Sequence, residues 1–359
     1  MEATSGGYLW TVKAQGSIAS RAREDIVTRR TDALRREFEA AGIVTLGQWL
    51  DEWLELCSRR GLRPSTVASY ATMVRLHVDP DLGATPLANL QASALNQLYA
   101  QLLRSGRRNG GGGLSARTVR YVHTIVNKAL ADAVRAGHIA LNPGAIADPP
   151  SPRAARARVF PVWSPAELAQ FLESAKEDRY YIAFLLAATT GLRRGELLGL
   201  RWCDIDHEAR ELHVVQALVE VAHEPRIMPP KTDRSRRMIA LDQRTADVLG
   251  RHRATASRLD PHLDDHALMF ATDDGDPVHP ALFSYYFQRR VQLAQVRRIR
   301  LHDLRHTHAT HALQVGVHPK VVSERLGHST VTITLDTYSH VLPGLQREAA
   351  EAVAALIHD

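Results

Sequence analysis

Cysteine is scarce in this chain. Only Cys57 and Cys203 occur in 359 residues. They lie far apart and match neither a disulfide framework nor a zinc spacing, which points to a reducing compartment. Aromatic residues make up only 6%. Long hydrophobic runs are also missing. The longest, Tyr180 to Thr190, contains two threonines and falls short of the roughly 20 residues a bilayer-crossing helix needs. No membrane partner is therefore expected. Met1 to Trp10 has no basic region followed by an apolar stretch, so no signal peptide is expected either, and the cytoplasm is the expected location. Internal repeats are absent.

What is present is a modest excess of positive charge. Net charge is +6 and the isoelectric point is near 9.5, compatible with a polyanionic partner. The excess sits in the middle of the chain, where residues 44–150 carry 11 basic and 7 acidic groups. Residues 151–359 carry 27 and 26, so an anion site there has to come from local arrangement.

The pattern divides the chain into four parts. Residues 1–43 hold one strand-like stretch, Gly6 to Val12, and one helix-like stretch, Thr31 to Ala41, ended by Gly42. Residues 44–142 read as a helical domain. Thr45 and Gln48 form a capping box, and Leu46, Trp49, Leu50, Trp53, Leu54 and Cys57 follow at helical spacing. Further helices are expected over Thr66–His77, over Ala92–Leu103 and from Ser115 to Gly137. Asn142-Pro143 closes the unit. Residues 143–163, with five prolines and with Arg153, Arg156 and Arg158, read as a stiff basic linker. Residues 164–359 read as a second, mixed domain. It opens on the capping box Ser164-Pro165-Ala166-Glu167 and has an apolar core helix at Tyr180–Thr190. A β-branched strand is expected over Glu211–Val221. Arg226–Pro230 and Arg236–Leu241 extend it into a small sheet, with Lys231-Thr232-Asp233 at a hairpin turn. The fold class is thus mainly α with a small antiparallel sheet.

Four short segments of the second domain carry chemistry. In Thr190-Gly191-Leu192-Arg193-Arg194-Gly195-Glu196, Gly191 breaks the core helix and Glu196 sits three residues after Arg193, where it can hold the guanidinium. In Leu301-His302-Asp303-Leu304-Arg305-His306, His302 and Arg305 share a helix face. Leu326-Gly327-His328 is a turn ending in a histidine. Leu335-Asp336-Thr337-Tyr338 follows, with Tyr338 ten residues after His328.

In this order and spacing, the set resembles the tyrosine recombinase (phage integrase) family. That family's pattern is an arginine in T-G-x-R-x-x-E, a hairpin lysine, H-x-x-R, L-G-H and a tyrosine about ten residues later. The matching positions are Arg193, Lys231, His302, Arg305, His328 and Tyr338, with Glu196 in support, and none is substituted. The resemblance covers roughly residues 44–345. It implies a helical core-binding domain in front of a mixed α/β catalytic domain. The implied activity is site-specific breakage and rejoining of double-stranded DNA through a 3′-phosphotyrosyl intermediate, with no metal and no cofactor. It further implies four copies of the chain on two DNA sites, and leaves room for accessory DNA-bending or directionality factors. Many relatives carry an arm-site DNA-binding domain at the N-terminus, so residues 1–43 are either its remnant or a leader.

The residue types suit that chemistry. Displacement at a phosphodiester concentrates negative charge on the non-bridging oxygens, and two arginines can bracket them while staying protonated. A phenol ionises near pH ~10 and needs a base or cationic surroundings to attack at neutral pH. Tyr338 is then the nucleophile, His302 the base or hydrogen-bond partner, Lys231 the proton donor to the leaving 5′ oxygen, and His328 a hydrogen-bond donor to the phosphoryl oxygen. Candidate DNA-backbone contacts in the helical domain and linker are Arg59, Arg60, Arg63, Arg107, Arg108, Arg117, Arg120, Arg153, Arg156 and Arg158. An apolar stripe, Leu345, Ala349, Val353, Leu356 and Ile357, either docks on a neighbouring copy or packs on its own domain.

Three rivals compete. A metal hydrolase is suggested by His302, His306, His308 and His311 on one helix, but Arg305 among them would repel a dication, and no H-E-x-x-H motif is present. Most of these histidines are expected to pack or to face solvent. A non-catalytic DNA-binding regulator has no use for Tyr338 or Lys231. A type IB topoisomerase shares similar chemistry. The separate helical domain and the L-G-H spacing favour a recombinase, with relaxation left open as a side activity.

Overall fold

The computed structural model describes residues 42–107, 111–155, 160–221, 224–229 and 236–338, with positions 350, 351 and 354. The expectations for residues 1–41, for Arg108, Arg156, Arg158 and Lys231, and for the stripe from Leu345 to Ile357 lie outside the described residues. The chain divides into two compact units, residues 1–158 and 159–359.

The first unit is helical. Helix α1 (Leu46–Arg59) starts where both arms of the Thr45–Gln48 capping box form. Its buried face, Leu46, Trp49, Leu50, Trp53 and Cys57, follows the 3.6-residue period. Helices α2 (Pro64–His77), α3 (Asp79–Leu82) and α4 (Ala92–Ser105) lead to the long α5 (Ala116–Arg135). Two indole N–H groups fix α1 on α5. Trp49 donates to the Ala129 carbonyl at 2.9 Å, and Trp53 to the Asp132 carboxylate at 2.7 Å. Each places a large apolar body in the core while its polar edge stays satisfied. Asp132 also receives Arg60 at 2.8 Å and Arg135.

Both ends of the expected linker are packed. Pro143–Ile146 form a short helix, α6, capped by Asn142, with Pro143 and Gly144 buried. The Asp148 N–H bonds the Asn96 side chain at 2.8 Å, and Arg120 bonds the Pro150 carbonyl at 2.8 Å. At the other end Trp163 is fully buried in the second unit, its indole donating to the Arg297 carbonyl at 2.6 Å. Proline content reads as linker in sequence, yet Pro143 opens a short helix and is buried, and the Pro150 carbonyl is held by Arg120.

The second unit is built around an apolar helix, α8 (Tyr181–Thr190), preceded by α7 (Pro165–Ser174) with its Ser164–Glu167 capping box. Its Phe184 packs against Phe171, Phe283 and Phe287 in edge and stacked contacts. Gly191, at φ +67°, ends α8 in the left-handed conformation, and the short α9 (Arg194–Leu198) follows. Helices α10 (Gln243–Leu259), α11 (Pro280–Leu293), α12 (Leu301–Gln314), α13 (Pro319–Leu326) and α14 (Val331–Tyr338) complete the unit.

The sheet differs from the expectation. Glu211–Val221 is two strands, β2 (Glu211–Val214) and β3 (Ala217–Val221), separated at Val215-Gln216. Strand β2 lies between β1 (Ile205–Asp206) and β5 (Arg237–Ala240), whereas among the described residues β3 pairs with β4 (Glu224–Met228) alone, all antiparallel. Strands β4 and β5, which flank Lys231, therefore belong to different sheets and do not form one hairpin. The Gln216 amide donates to the Gly199 carbonyl at 2.8 Å, anchoring the break that sends β3 away from β2.

Candidate active site

Arg193 occupies the N-cap of α9. Its own N–H bonds the Glu196 carboxylate at 2.9 Å, and its guanidinium bonds the same carboxylate at 2.7 Å. The i,i+3 spacing makes this local. A second guanidinium joins from far along the chain. Arg237, the first residue of β5, contacts both oxygens of Glu196 at 3.1 and 2.9 Å and donates its Nε to the Arg325 carbonyl at 2.6 Å. Glu196 is only 4% exposed. Burial pushes its pKa up, but the hydrogen bond and charge of Arg237 and the charge of Arg193 outweigh it and hold the carboxyl down at about 2.

Arg305 lies on α12 and is 3% exposed. It donates to the carbonyls of Gly191 at 2.8 Å and Leu326 at 2.6 Å. Arg193 donates to the next carbonyl, that of Gly327, at 2.8 Å. The two arginines predicted from sequence thus converge on one turn. Gly327 has φ +64°, and a Cβ there would stand 3.0 Å from the Arg237 guanidinium. Glycine is what lets the backbone pass this close. Burial and the neighbouring Arg193 charge bring the Arg305 pKa down to about 9, still protonated at neutral pH.

His328 follows directly, and its Nδ1 meets the Thr334 hydroxyl at 2.8 Å. Burial, then Arg305 and Arg193, lower its pKa to about 4. Tyr338 ends α14 with 2% exposure. Burial raises its pKa to about 12, partly countered by the Arg305 charge.

The tyrosine hydroxyl shows where sequence and structure part. The residue expected beside it was His302. In the structure the hydroxyl lies 2.7 Å from Nδ1 of His306. His302, exposed at its rim, meets the His306 ring edge-on at 5.2 Å between centroids. Desolvation and the Arg305 charge lower the His302 pKa. Phe160 stacks on the other side of His306 at 4.1 Å and 6° between planes, and the Arg300 guanidinium lies over the Phe160 ring. Burial, His302 and Arg305 lower the His306 pKa to about 4. His306 is packed, as expected of most of these histidines, but its Nδ1 also meets the tyrosine hydroxyl, a contact the sequence reading did not assign. Helix period offered a signal, because residues 302, 305 and 306 are i, i+3 and i+4 on one face. Arg237 was also missed. Alternation along β5 places it on the face of the buried Ile239, and an inward charge needs a partner.

The remaining histidines of α12 turn to backbone. His308 meets the Ala188 carbonyl at 3.1 Å and His311 the Trp163 carbonyl at 2.9 Å. Among the described residues no group of three or more His, Cys, Asp or Glu side chains is placed to hold a metal ion. No described helix is long and apolar enough to cross a membrane.

Of the candidate DNA-contact arginines, Arg60 is bound to Asp132 and Arg120 to the Pro150 carbonyl. Arg59 pairs with Glu55 at the surface, and Arg107 reaches the Gly111 carbonyl at 3.4 Å. Arg117 and Arg153 are exposed, and Arg63 is half-buried.

Comparison with known proteins agrees with this geometry. The model of the phage integrase family matches residues 164–344, and that of a phage integrase N-terminal SAM-like domain matches residues 45–103. A XerC-like tyrosine recombinase of Caldanaerobacter subterraneus subsp. tengcongensis is 28% identical over 330 residues, covering 86% of this chain and 83% of the relative. The ICEBs1 integrase of Bacillus subtilis is 28% identical over 254 residues, 68% of this chain and 67% of its own. Among solved structures, the Tn1549 transposon integrase in complex with a circular intermediate DNA superposes with a TM-score of 0.70 at 22% identity, over 86% of this chain and 99% of that one. A lambda integrase tetramer bound to a Holliday junction gives a TM-score of 0.60 at 18% identity, over 83% and 82%. With the model of the phage integrase family spanning half the chain, and Arg193, Arg305, His328 and Tyr338 brought together among the described residues, this protein belongs to the phage integrase family, the tyrosine recombinases.

Proposed function

We propose that this tyrosine recombinase cuts and rejoins duplex DNA at a specific site, with Tyr338 as the attacking group. The phenol oxygen bonds the scissile phosphorus, the 5′ oxygen departs, and the strand is held as a 3′-phosphotyrosyl link until a 5′-hydroxyl reverses the step. The link conserves the phosphodiester bond energy, so rejoining needs no nucleotide cofactor. Arg193 and Arg305 bracket the non-bridging oxygens, where charge builds in the transition state. His302 and His328 border the same phosphate, and Lys231, carried over from the family pattern, protonates the leaving oxygen.

The observation that carries this is the convergence of the two guanidiniums on the adjacent carbonyls of Leu326 and Gly327, beside His328. The Arg305 charge also acts on Tyr338 of the same chain, which favours delivery of the nucleophile within one subunit. Four copies on two DNA sites would complete an exchange, the arrangement in which lambda integrase sits on a Holliday junction. Exposed Arg117 and Arg153, with Arg63, are the proposed backbone contacts of the first unit and linker. The work takes place on DNA in the cytoplasm, at the nucleoid, with accessory bending or directionality factors as partners.

The test is recombination between two duplexes carrying the junction sequences that flank the gene. The unsubstituted protein should exchange strands through a four-way junction, and the Tyr338→Phe variant should bind both duplexes and exchange nothing. Relaxation of supercoils without exchange would instead identify a topoisomerase, and binding without any strand transfer a regulator.

A further inference from the structure

We propose that His306 is the group that takes the proton from the Tyr338 hydroxyl, and that Phe160 holds the His306 ring in line to do so. This rests on Tyr338 being the nucleophile and adds a residue outside the motif set.

The geometry is specific. The hydroxyl lies 2.7 Å from Nδ1, inside the range for direct proton transfer. Phe160 covers one face of the imidazole almost in parallel, and His302 meets the ring edge-on. The ring is thereby fixed between an aromatic plate, a second histidine and the phenol. Arg300, which lies over Phe160, is itself clamped at 2.8 Å to the buried Asp303, so the plate is held as well. Three independent contacts, on one face, one edge and Nδ1, thus set the orientation of the ring.

The surrounding groups set how readily the ring holds a proton. The groups acting on His306 are His302, Asp303, Arg305 and Arg300 from or beside α12. His328, on the turn before α14, also interacts with it, and Tyr338 comes from α14 itself. All but Asp303 and the neutral phenol are cationic or can become so. In the free protein they keep the imidazole neutral and able to accept. A bound phosphate brings negative charge into this cluster and favours the protonated ring. The step balances as follows. The Tyr338 oxygen forms its bond to phosphorus, and its proton passes to Nδ1 of His306. The bond from phosphorus to the 5′ oxygen breaks, and that oxygen takes a proton from a separate donor, the part proposed for Lys231. Rejoining runs the same transfers backwards.

The test is single-turnover cleavage of a nicked duplex carrying the flanking junction sequence, with DNA binding measured alongside. H306Q should bind DNA normally and cleave about 10²–10³-fold more slowly. F160L, which keeps apolar bulk but loses the stacking plate, should cleave several-fold more slowly. It serves as the probe should H306Q not fold. The decisive arm replaces Tyr338 with 3,5-difluorotyrosine, nearly the same size but ionising at lower pH. A phenol already ionised needs no acceptor, so this substitution should restore most of the rate lost in H306Q or F160L, and should shift the pH profile to lower pH. A purely structural role would leave those losses in place. Wild-type cleavage rates in both variants, or losses untouched by difluorotyrosine, would overturn the proposal. Failure of the unsubstituted protein to attach to DNA, or attachment by Tyr338→Phe, would overturn the underlying assignment of Tyr338 instead.

Discussion

Arg193 and Arg305, 112 positions apart in sequence, donate to the two consecutive carbonyls of Gly327 and Leu326. Like charges do not gather without cause. Part of the cause is Glu196, whose buried carboxylate binds Arg193 and Arg237 together. The other part is backbone oxygen supplied by a left-handed glycine turn. The site is a preassembled cationic cluster, and its full partner is an anion.

Arginine at either position should matter to the transition state more than to binding. Arg193→Ala and Arg305→Ala should each reduce strand cleavage by about 10²–10³-fold, the loss typical of a removed oxyanion donor, while affinity for the duplex changes little. Parallel mobility-shift and single-turnover measurements check this. Equal losses in both would give the arginines a binding role only.

Removing the shared carboxylate should cost stability as well as activity. Glu196→Ala leaves Arg237 buried without its counter-ion, and breaking a buried pair by deleting one partner costs about 3–5 kcal/mol. Denaturant unfolding should show that loss. Glu196→Gln, which keeps a hydrogen-bond acceptor, should lose less and fall between the two.

Gly327 should resist substitution. Its φ is +64°, and an added Cβ would press on the Arg237 guanidinium. Gly327→Ala should lower stability by about 1–3 kcal/mol, in the range for a strained backbone position. It should also slow cleavage, because the displaced carbonyl is the one that Arg193 holds. A melting curve together with a cleavage rate separates the two effects.

Acid should weaken the second unit in a defined window. His306, His308 and His328 are each held at about 4, against an ordinary 6.5. At pH 7 they are largely neutral in both folded and unfolded chains and contribute little to pH dependence. Below 6.5 the unfolded chain takes up protons that the folded one refuses. Stability therefore falls as pH drops from about 6.5 towards 4, by at most about 1.4 kcal/mol per pH unit for each histidine, and by less for half-exposed His328. Glu196 adds its own loss only lower, between its ordinary 4.5 and about 2. Thermal melts across pH 7 to 4 check the sign. The His308→Asn variant should flatten the slope, although its lost bond to the Ala188 carbonyl lowers the melting temperature throughout.

Much of this site could be read from sequence because its parts are local. The Arg193–Glu196 pair needs only one helical turn, His302 and Arg305 share a face by period alone, and Gly191 and Gly327 mark the ends of α8 and α13. What could not be read depends on partners far apart in the chain. Arg237 meets Glu196 across 41 positions and His306 meets Tyr338 across 32. No periodicity joins such pairs. The sheet failed for a related reason. The β-branched run Glu211–Val221 looks like one strand, and only the tertiary anchor at Gln216 divides it between two sheets. The division between the two units falls inside the stretch read as a linker, but its packed ends were not legible, because proline marks a packed surface segment and a free connector alike.

The covalent step offers the most direct test of the whole account. The protein is incubated in EDTA with a nicked duplex bearing its junction sequence, denatured in SDS, digested with protease, and the DNA-linked peptide identified by mass spectrometry. The account predicts an adduct carried by Tyr338 through a 3′-phosphate, abolished in Tyr338→Phe. An adduct on another residue, or cleavage that leaves no adduct and stops when EDTA is added, would contradict it.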